Sequence, residues 1–279
     1  MRSHSSSGIT CYDWGGPVAA PPLVLLHGFS DSGWCWAAAV DRWTADFRVL
    51  TVDIRGHGLS ERFTPYELAA GPQAIMVADI VQLLDDWPAL AGRPVGLVGH
   101  SMGGGIACEV ALTRPDRLAA VVLEDPALGP GDSTTSEQEA EIRREWGRLQ
   151  VTQLIRYAVD PGFAAAEVAQ FLRTSPAVEA EPWLTSKRQT DLDMAADGRI
   201  RPERPWRPAI SALAVPTLVV SGTGEVIWDP QEWAALQSCG NPLVETAVVD
   251  GADHCVRRTQ PDRFHAVVDP WLGRHLLSC

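Results

Sequence analysis

Short apolar runs of strand length alternate with longer stretches of helical spacing along most of the chain. Residues 9–14, 23–26, 49–54, 95–98, 119–123, 216–222 and 244–249 read as strands, several of them apolar enough to be buried on both faces. Between them, residues 34–43, 72–87, 106–112, 231–237 and 261–277 carry apolar residues at helical spacing. In the second of these, Ile75, Ile80, Leu83 and Leu84 fall on one face together with Asp79. Regular alternation of this kind predicts an α/β protein, a mostly parallel sheet with helices on both faces.

The alternation breaks once. From Gly129 to about Pro208 the strand signal disappears. Gly129-Pro130-Gly131-Asp132-Ser133 reads as a loop, residues 135–157, 164–173 and 182–196 as helices, and Pro202, Pro205 and Pro208 as the exit. The pattern predicts a core made of residues 1–128 and 209–279, with residues 129–208 inserted as a helical cap.

Composition narrows the partners. A chain of 279 residues, 46% of them hydrophobic, can bury a full core. Its net charge of -12, with basic residues scattered in nothing longer than pairs, argues against nucleic acid or an anionic membrane surface. The first eight residues are polar and lack the apolar segment of a secretory signal, and no run is long enough to span a bilayer. The six cysteines (Cys11, Cys35, Cys108, Cys239, Cys255 and Cys279) form no Cys-x-x-Cys pair, so neither a zinc ribbon nor a redox motif is suggested. Their even number permits disulfides, but a chain this large does not need them, and free thiols in a reducing cytoplasm are expected. His-Glu-x-x-His and similar ligand spacings are missing, so neither metal nor other cofactor is implied. Oligomeric state is not written in the chain.

The chemistry concentrates at Val95-Gly96-Leu97-Val98-Gly99-His100-Ser101-Met102-Gly103-Gly104. A buried strand runs into Gly-His-Ser-Met-Gly, and an Ala-rich helix follows. That is Gly-x-Ser-x-Gly in the strand–turn–helix setting of a nucleophile elbow, where the serine sits in a strained turn with Oγ exposed at a helix start. Ser101 is therefore the candidate nucleophile.

Further landmarks appear in order: His27-Gly28-Phe29-Ser30, Asp53-Ile54-Arg55-Gly56-His57-Gly58-Leu59-Ser60, the elbow itself, Leu123-Glu124-Asp125-Pro126, and Gly251-Ala252-Asp253-His254. Over nearly its whole length the chain resembles the α/β-hydrolase superfamily. The resemblance implies a serine triad in the chain order Ser, acid, His, with His254 as base in the loop after the last strand. His27 and His57 then belong to backbone motifs, His100 packs beside the elbow, and His4, His265 and His275 have no chemical context.

Two positions compete for the acid, which must accept from the histidine Nδ1–H. The family usually places it after the seventh strand, where Glu225 has the right spacing in Gly222-Thr223-Gly224-Glu225. A variant places it after the sixth, where Asp125 ends the strand. Asp125 is preferred and Glu225 kept as the alternative; Asp229 and Asp253 rank below both. Glu124 should face the opposite way from Asp125 by strand alternation. Backbone N–H groups of Phe29 and Met102 are the expected oxyanion hole.

The expected substrate is a small-molecule ester or lactone, bound by Ser30 and by the indoles of Trp183, Trp206 and Trp228, with Trp146 also in the cap. An acid after the sixth strand and a cap helix bearing Trp183 are similar to the lactone hydrolases that open zearalenone. A cofactor-free haloperoxidase or perhydrolase would use the same triad, and a non-catalytic binding module the same fold. A carboxylate-nucleophile enzyme is excluded by Ser101.

Overall fold

The computed structural model describes residues 2–6, 8–87, 90, 92–131 and 136–277. Eight strands form one sheet: β1 (Arg2–Ser6), β2 (Ile9–Gly15), β3 (Pro22–Leu26), β4 (Arg48–Asp53), β5 (Val95–His100), β6 (Leu118–Glu124), β7 (Thr217–Gly222) and β8 (Val244–Val249), in the order β1-β2-β4-β3-β5-β6-β7-β8. The β1–β2 and β2–β4 pairs are antiparallel, and every other pair is parallel. This is the mostly parallel sheet that the alternating pattern predicts, in the arrangement that the α/β-hydrolase resemblance implies.

The continuous apolar runs are explained by two cores. Along β3, Val24 and Leu26 join the core on one face, and Leu23 and Leu25 join the core on the other. Strand β6 divides in the same way, Val121 and Leu123 against Ala120 and Val122. Helices Pro72–Asp86 and Met102–Thr113 cover the first face, and helices Ala37–Trp43 and Pro261–Leu272 the second. Every residue of β3 and nearly every residue of β6 is buried, so these strands keep no polar face to show the period of two.

Four local differences from the sequence pattern have physical causes. Helix Pro65–Ala70 buries none of its residues, so it has no apolar stripe to announce it. It is held instead by a capping box between Thr64 and Glu67 and by proline at its start. The expected helix 182–196 is two helices, Ala180–Arg188 and Leu192–Asp197. Asp191 interrupts it, because its carboxylate caps the second helix and also accepts from Phe63 N at 3.0 Å. Residues 34–43 begin as a 3₁₀ turn, Gly33–Trp36, before becoming α-helical. The closing helix ends at Leu272 and continues as a π turn over Gly273–Leu277, just after Pro270, which has no N–H to give.

Between β6 and β7 the described residues contain helices and no strand: Ser136–Val159, Pro161–Phe171, Ala180–Arg188, Leu192–Asp197 and, at the exit, Trp206–Ser211. Positions 132–135, which include the expected start of the first of these, lie outside the described residues, as does Cys279. The two ends of the segment meet. A Cβ on Gly129 would lie 1.8 Å from the Arg204 carbonyl oxygen, and Trp206 N donates to Pro130 O at 3.3 Å.

Candidate active site

Strand β5 ends at His100 and the next helix starts at Met102, so Ser101 alone makes the turn. Its backbone lies at φ 52° and ψ -117°, a conformation that costs about 1–3 kcal/mol and persists only where its surroundings impose it. The glycines around it make the turn possible. A Cβ on Gly103 would sit 2.4 Å from Leu26 O and 2.5 Å from His27 O, and one on Gly99 would sit 2.2 Å from Gly103 O. Positive φ at a non-glycine residue occurs at only two other described positions, Ser30 and Asp125. Both belong to loops that meet the elbow.

Asp125 follows directly on β6, beside β5, and is fully buried. Its Oδ2 lies 2.6 Å from His254 Nδ1 and accepts from Ile227 N at 3.0 Å, while its Oδ1 accepts from Ser221 Oγ at 2.6 Å. A buried carboxylate needs such partners. The carboxylate at the base candidate is thus that of Asp125 and not that of Glu225. Glu225 serves through its backbone: its carbonyl accepts from His254 N at 2.7 Å, and its N–H donates to Asp253 Oδ1 at 3.0 Å. Asp229 is the N-cap of helix Pro230–Gln237. Glu124 faces away from Asp125 as alternation requires, binding Arg257 through N at 2.8 Å and Nη1 at 2.7 Å.

The remaining central histidines are structural. His27 Nε2 accepts from Ile54 N at 3.0 Å, and its Nδ1 lies 2.7 Å from Gly28 O, which ties the loops after β3 and β4 together. His57 packs edge-on to His27 at 5.0 Å. His100 Nε2 lies 3.1 Å from His254 O. Burial pushes all three below the ordinary histidine range, so they are neutral.

Ser101 and His254 open on one cavity of about 700 Å³, walled on the far side by the helical segment between β6 and β7. Phe29, Trp146, Phe171, Trp183 and Ile227 supply much of the apolar wall. Phe29 meets Trp146 with ring centroids 4.7 Å apart, and Trp183 meets Phe171 at 4.9 Å. The N–H groups of Phe29 and Met102 have no acceptor among the described residues, and that of Met102 opens the helix, where no intrahelical partner exists.

Two expected substrate contacts are corrected. Trp206 and Trp228 do not line the cavity; they are buried against each other, 5.3 Å apart and nearly perpendicular, with Trp233 beyond. The two indoles bury their apolar surface against each other instead of offering it to a ligand. Ser30 and Trp183 do line it.

The polar part of the wall escapes a motif search. Lys187 Nζ donates to Ser30 O, Ser30 Oγ and Asp31 Oδ1 at 3.1, 3.0 and 2.9 Å, and Ser186 Oγ donates to Ser30 O at 2.8 Å. Arg258 pairs with Asp31 at 2.9 Å and Glu179 at 2.7 Å. Burial alone would raise the Asp31 carboxyl, but Arg258 and Lys187 hold it well below the usual carboxylate range. The helical segment is thereby fastened to the loop that carries Phe29. These are single charged residues on irregular or amphipathic segments, and only their meeting in space gives them a role.

Among the described residues one cluster has metal-ligating atoms close together: His100, Glu124 and Cys255, within 4.8 Å. Both Glu124 oxygens are already held by Arg257, and burial pushes the Cys255 thiol up to about 12. That donor set suits the ion pair it makes better than a metal.

Known proteins share this fold. The model of the alpha/beta hydrolase family matches residues 23–267. The chain is 35% identical to the "Putative 2-succinyl-6-hydroxy-2,4-cyclohexadiene-1-carboxylate synthase" of Bacillus subtilis (strain 168), over 92% of each chain. It is 26% identical to the (E)-2-((N-methylformamido)methylene)succinate hydrolase of Acinetobacter baylyi (strain ATCC 33305 / BD413 / ADP1), over 90% of each. A solved thermophilic esterase from Thermogutta terrifontis superposes with a TM-score of 0.71 at 25% identity, covering 98% of this chain and 97% of the other.

Proposed function

The chain belongs to the alpha/beta hydrolase family, and from that premise we propose that it is a serine hydrolase that cleaves a carboxylic ester, linear or cyclic, through an acyl-enzyme. The observation that carries the reading is His254 Nδ1 at 2.6 Å from the buried Asp125 carboxylate, with Ser101 in its strained turn on the same cavity. Ser101 Oγ attacks the ester carbonyl while His254 Nε2 takes its proton, and Asp125 holds the imidazolium that forms. The N–H groups of Phe29 and Met102 receive the oxyanion, each worth roughly 3 kcal/mol to the transition state. His254 then protonates the leaving alkoxide, and a water deprotonated by the same ring releases the acid and restores Ser101. With a lactone the leaving alcohol stays on the acyl chain, so one product results.

The aromatic wall favours a substrate with apolar bulk, and Trp183 is the part of the zearalenone-type likeness that reaches the cavity. No described helix is long and apolar enough to cross a membrane. A cytoplasmic setting suits the unpaired thiols of Cys11, Cys35, Cys108, Cys239 and Cys255.

The test is turnover of linear p-nitrophenyl esters beside small and macrocyclic lactones. Ser101→Ala is expected to lower kcat by at least ~10³-fold, with an unchanged circular dichroism spectrum and loss of covalent labelling by a fluorophosphonate. A folded Ser101→Ala protein that retains wild-type turnover would sink the assignment. Preference for macrocyclic lactones would support the narrower lactonase reading, and activity confined to short linear esters would remove it.

A further inference from the structure

We propose that the wall opposite Ser101 recognises an anionic group, a carboxylate, on the acyl or alcohol part of the substrate, through Arg143. The proposal rests on the hydrolase reading only for what happens to the bound molecule. The chain carries a net charge of -12, yet four cations line the cavity: Arg143, Lys187, Arg201 and Arg258. Three of them are spent. Lys187 and Arg258 share Asp31, and Arg201 Nη2 is held by Glu139 Oε1 at 2.9 Å.

Arg143 is different. It has no hydrogen bond or ion pair to any described side chain. Glu139, one turn earlier on the same helix and its natural i,i+4 partner, faces Arg201 instead. Of the lining carboxylates, Asp31 is committed, and Asp253 accepts from Glu225 N. Glu225 is exposed, and no ion pair joins it to Arg143.

The helix is aimed at the cavity by its spacing. Arg143, Trp146 and Gln150, at intervals of three, four and seven residues, all line the space, together with Ile142. Arg143 is half-buried and shares the cavity lining with Trp146 and Ile142. A guanidinium in that position is partly desolvated and keeps its fork of donors, which matches a carboxylate with two parallel hydrogen bonds. The apolar wall then takes the body of the substrate and Arg143 its charged end, which sets the ester bond's distance from that end.

Binding can be measured without turnover. In the Ser101→Ala protein, titration calorimetry with the monomethyl esters of succinate, glutarate and adipate is compared with methyl esters of the uncharged acids of equal length. At least one monoanion is expected to bind about 10- to 100-fold tighter than its neutral counterpart, with an advantage that shrinks as salt rises. Arg143→Gln in the same background should bring that ratio near one, and Arg143→Lys should keep part of it. The proposal is overturned if no monoanion in the series is preferred, or if the ratio survives Arg143→Gln. Turnover by the Ser101 protein reports separately: preference without hydrolysis of any ester would sink the hydrolase reading and leave the anion site standing.

Discussion

Asp125 and Glu225 are separated at the residue scale by one contact. Asp125 is buried, bonded to Ser221 and Ile227 N, and 2.6 Å from His254 Nδ1. Glu225 is exposed and bonds through its main chain. Asp125→Asn keeps the shape but presents the wrong partner to the ring, and is expected to lower kcat by about 10³–10⁴-fold. Glu225→Gln should leave kcat within about three-fold, since Glu225 lines the cavity with no side-chain bond to His254 and its main-chain bonds survive the change. Parallel kinetics on one good ester decide the matter; equal losses in the two variants would mean the acid is misassigned. The spacing of the sequence admits both carboxylates, because the choice depends on which strand end lies beside β5. That is a fact of strand order, and a single chain read by pattern does not carry it.

At the scale of elements, the elbow shows how much of a site can be local. Strand, serine and helix follow one another in the sequence as in space, with Ser101 the lone turn residue. Its glycines are legible for the same reason: each removes a Cβ that would strike the neighbouring main chain. Gly103→Ala would press a methyl against the carbonyls of Leu26 and His27. Those are main-chain atoms of β3 and its loop and cannot turn aside, so a loss of about 1–3 kcal/mol in stability is expected, with slower fluorophosphonate labelling. Thermal melts and labelling rates check both, and an unchanged melting temperature would mean the elbow has slack. The helix Pro65–Ala70 and the break at Asp191 were not legible, because capping and a contact to Phe63, not apolar periodicity, determine them. Arg143 and Lys187 were equally silent, since a lone charge on a helix is ordinarily a solvated face.

For the whole molecule, three buried neutral histidines tie stability to pH. His27, His57 and His100 are held below the ordinary range by burial. In the unfolded chain each takes up a proton as pH falls through about 6.5, and in the folded protein it does not. The unfolded state therefore binds more protons, and stability must fall on going from pH 7.5 to 5.5, by at most about 1.4 kcal/mol per pH unit for each histidine. Urea midpoints at the two pH values test this, and a midpoint that stays put or rises would contradict it.

The meeting of Gly129 with Arg204 and of Pro130 with Trp206 bears on how such a protein could be re-engineered. A segment whose two ends touch resembles a cassette: a replacement whose own ends meet in the same way would not have to move β6 from β7. Ser101, Asp125 and His254 all lie on the frame that remains, so a chimera should inherit the proposed chemistry. It would not inherit the clamp of Ser186 and Lys187 on Ser30. A transplanted segment must bring its own hydrogen-bond donors for that carbonyl, or the graft will fit the frame while leaving the loop that carries Phe29 unlatched.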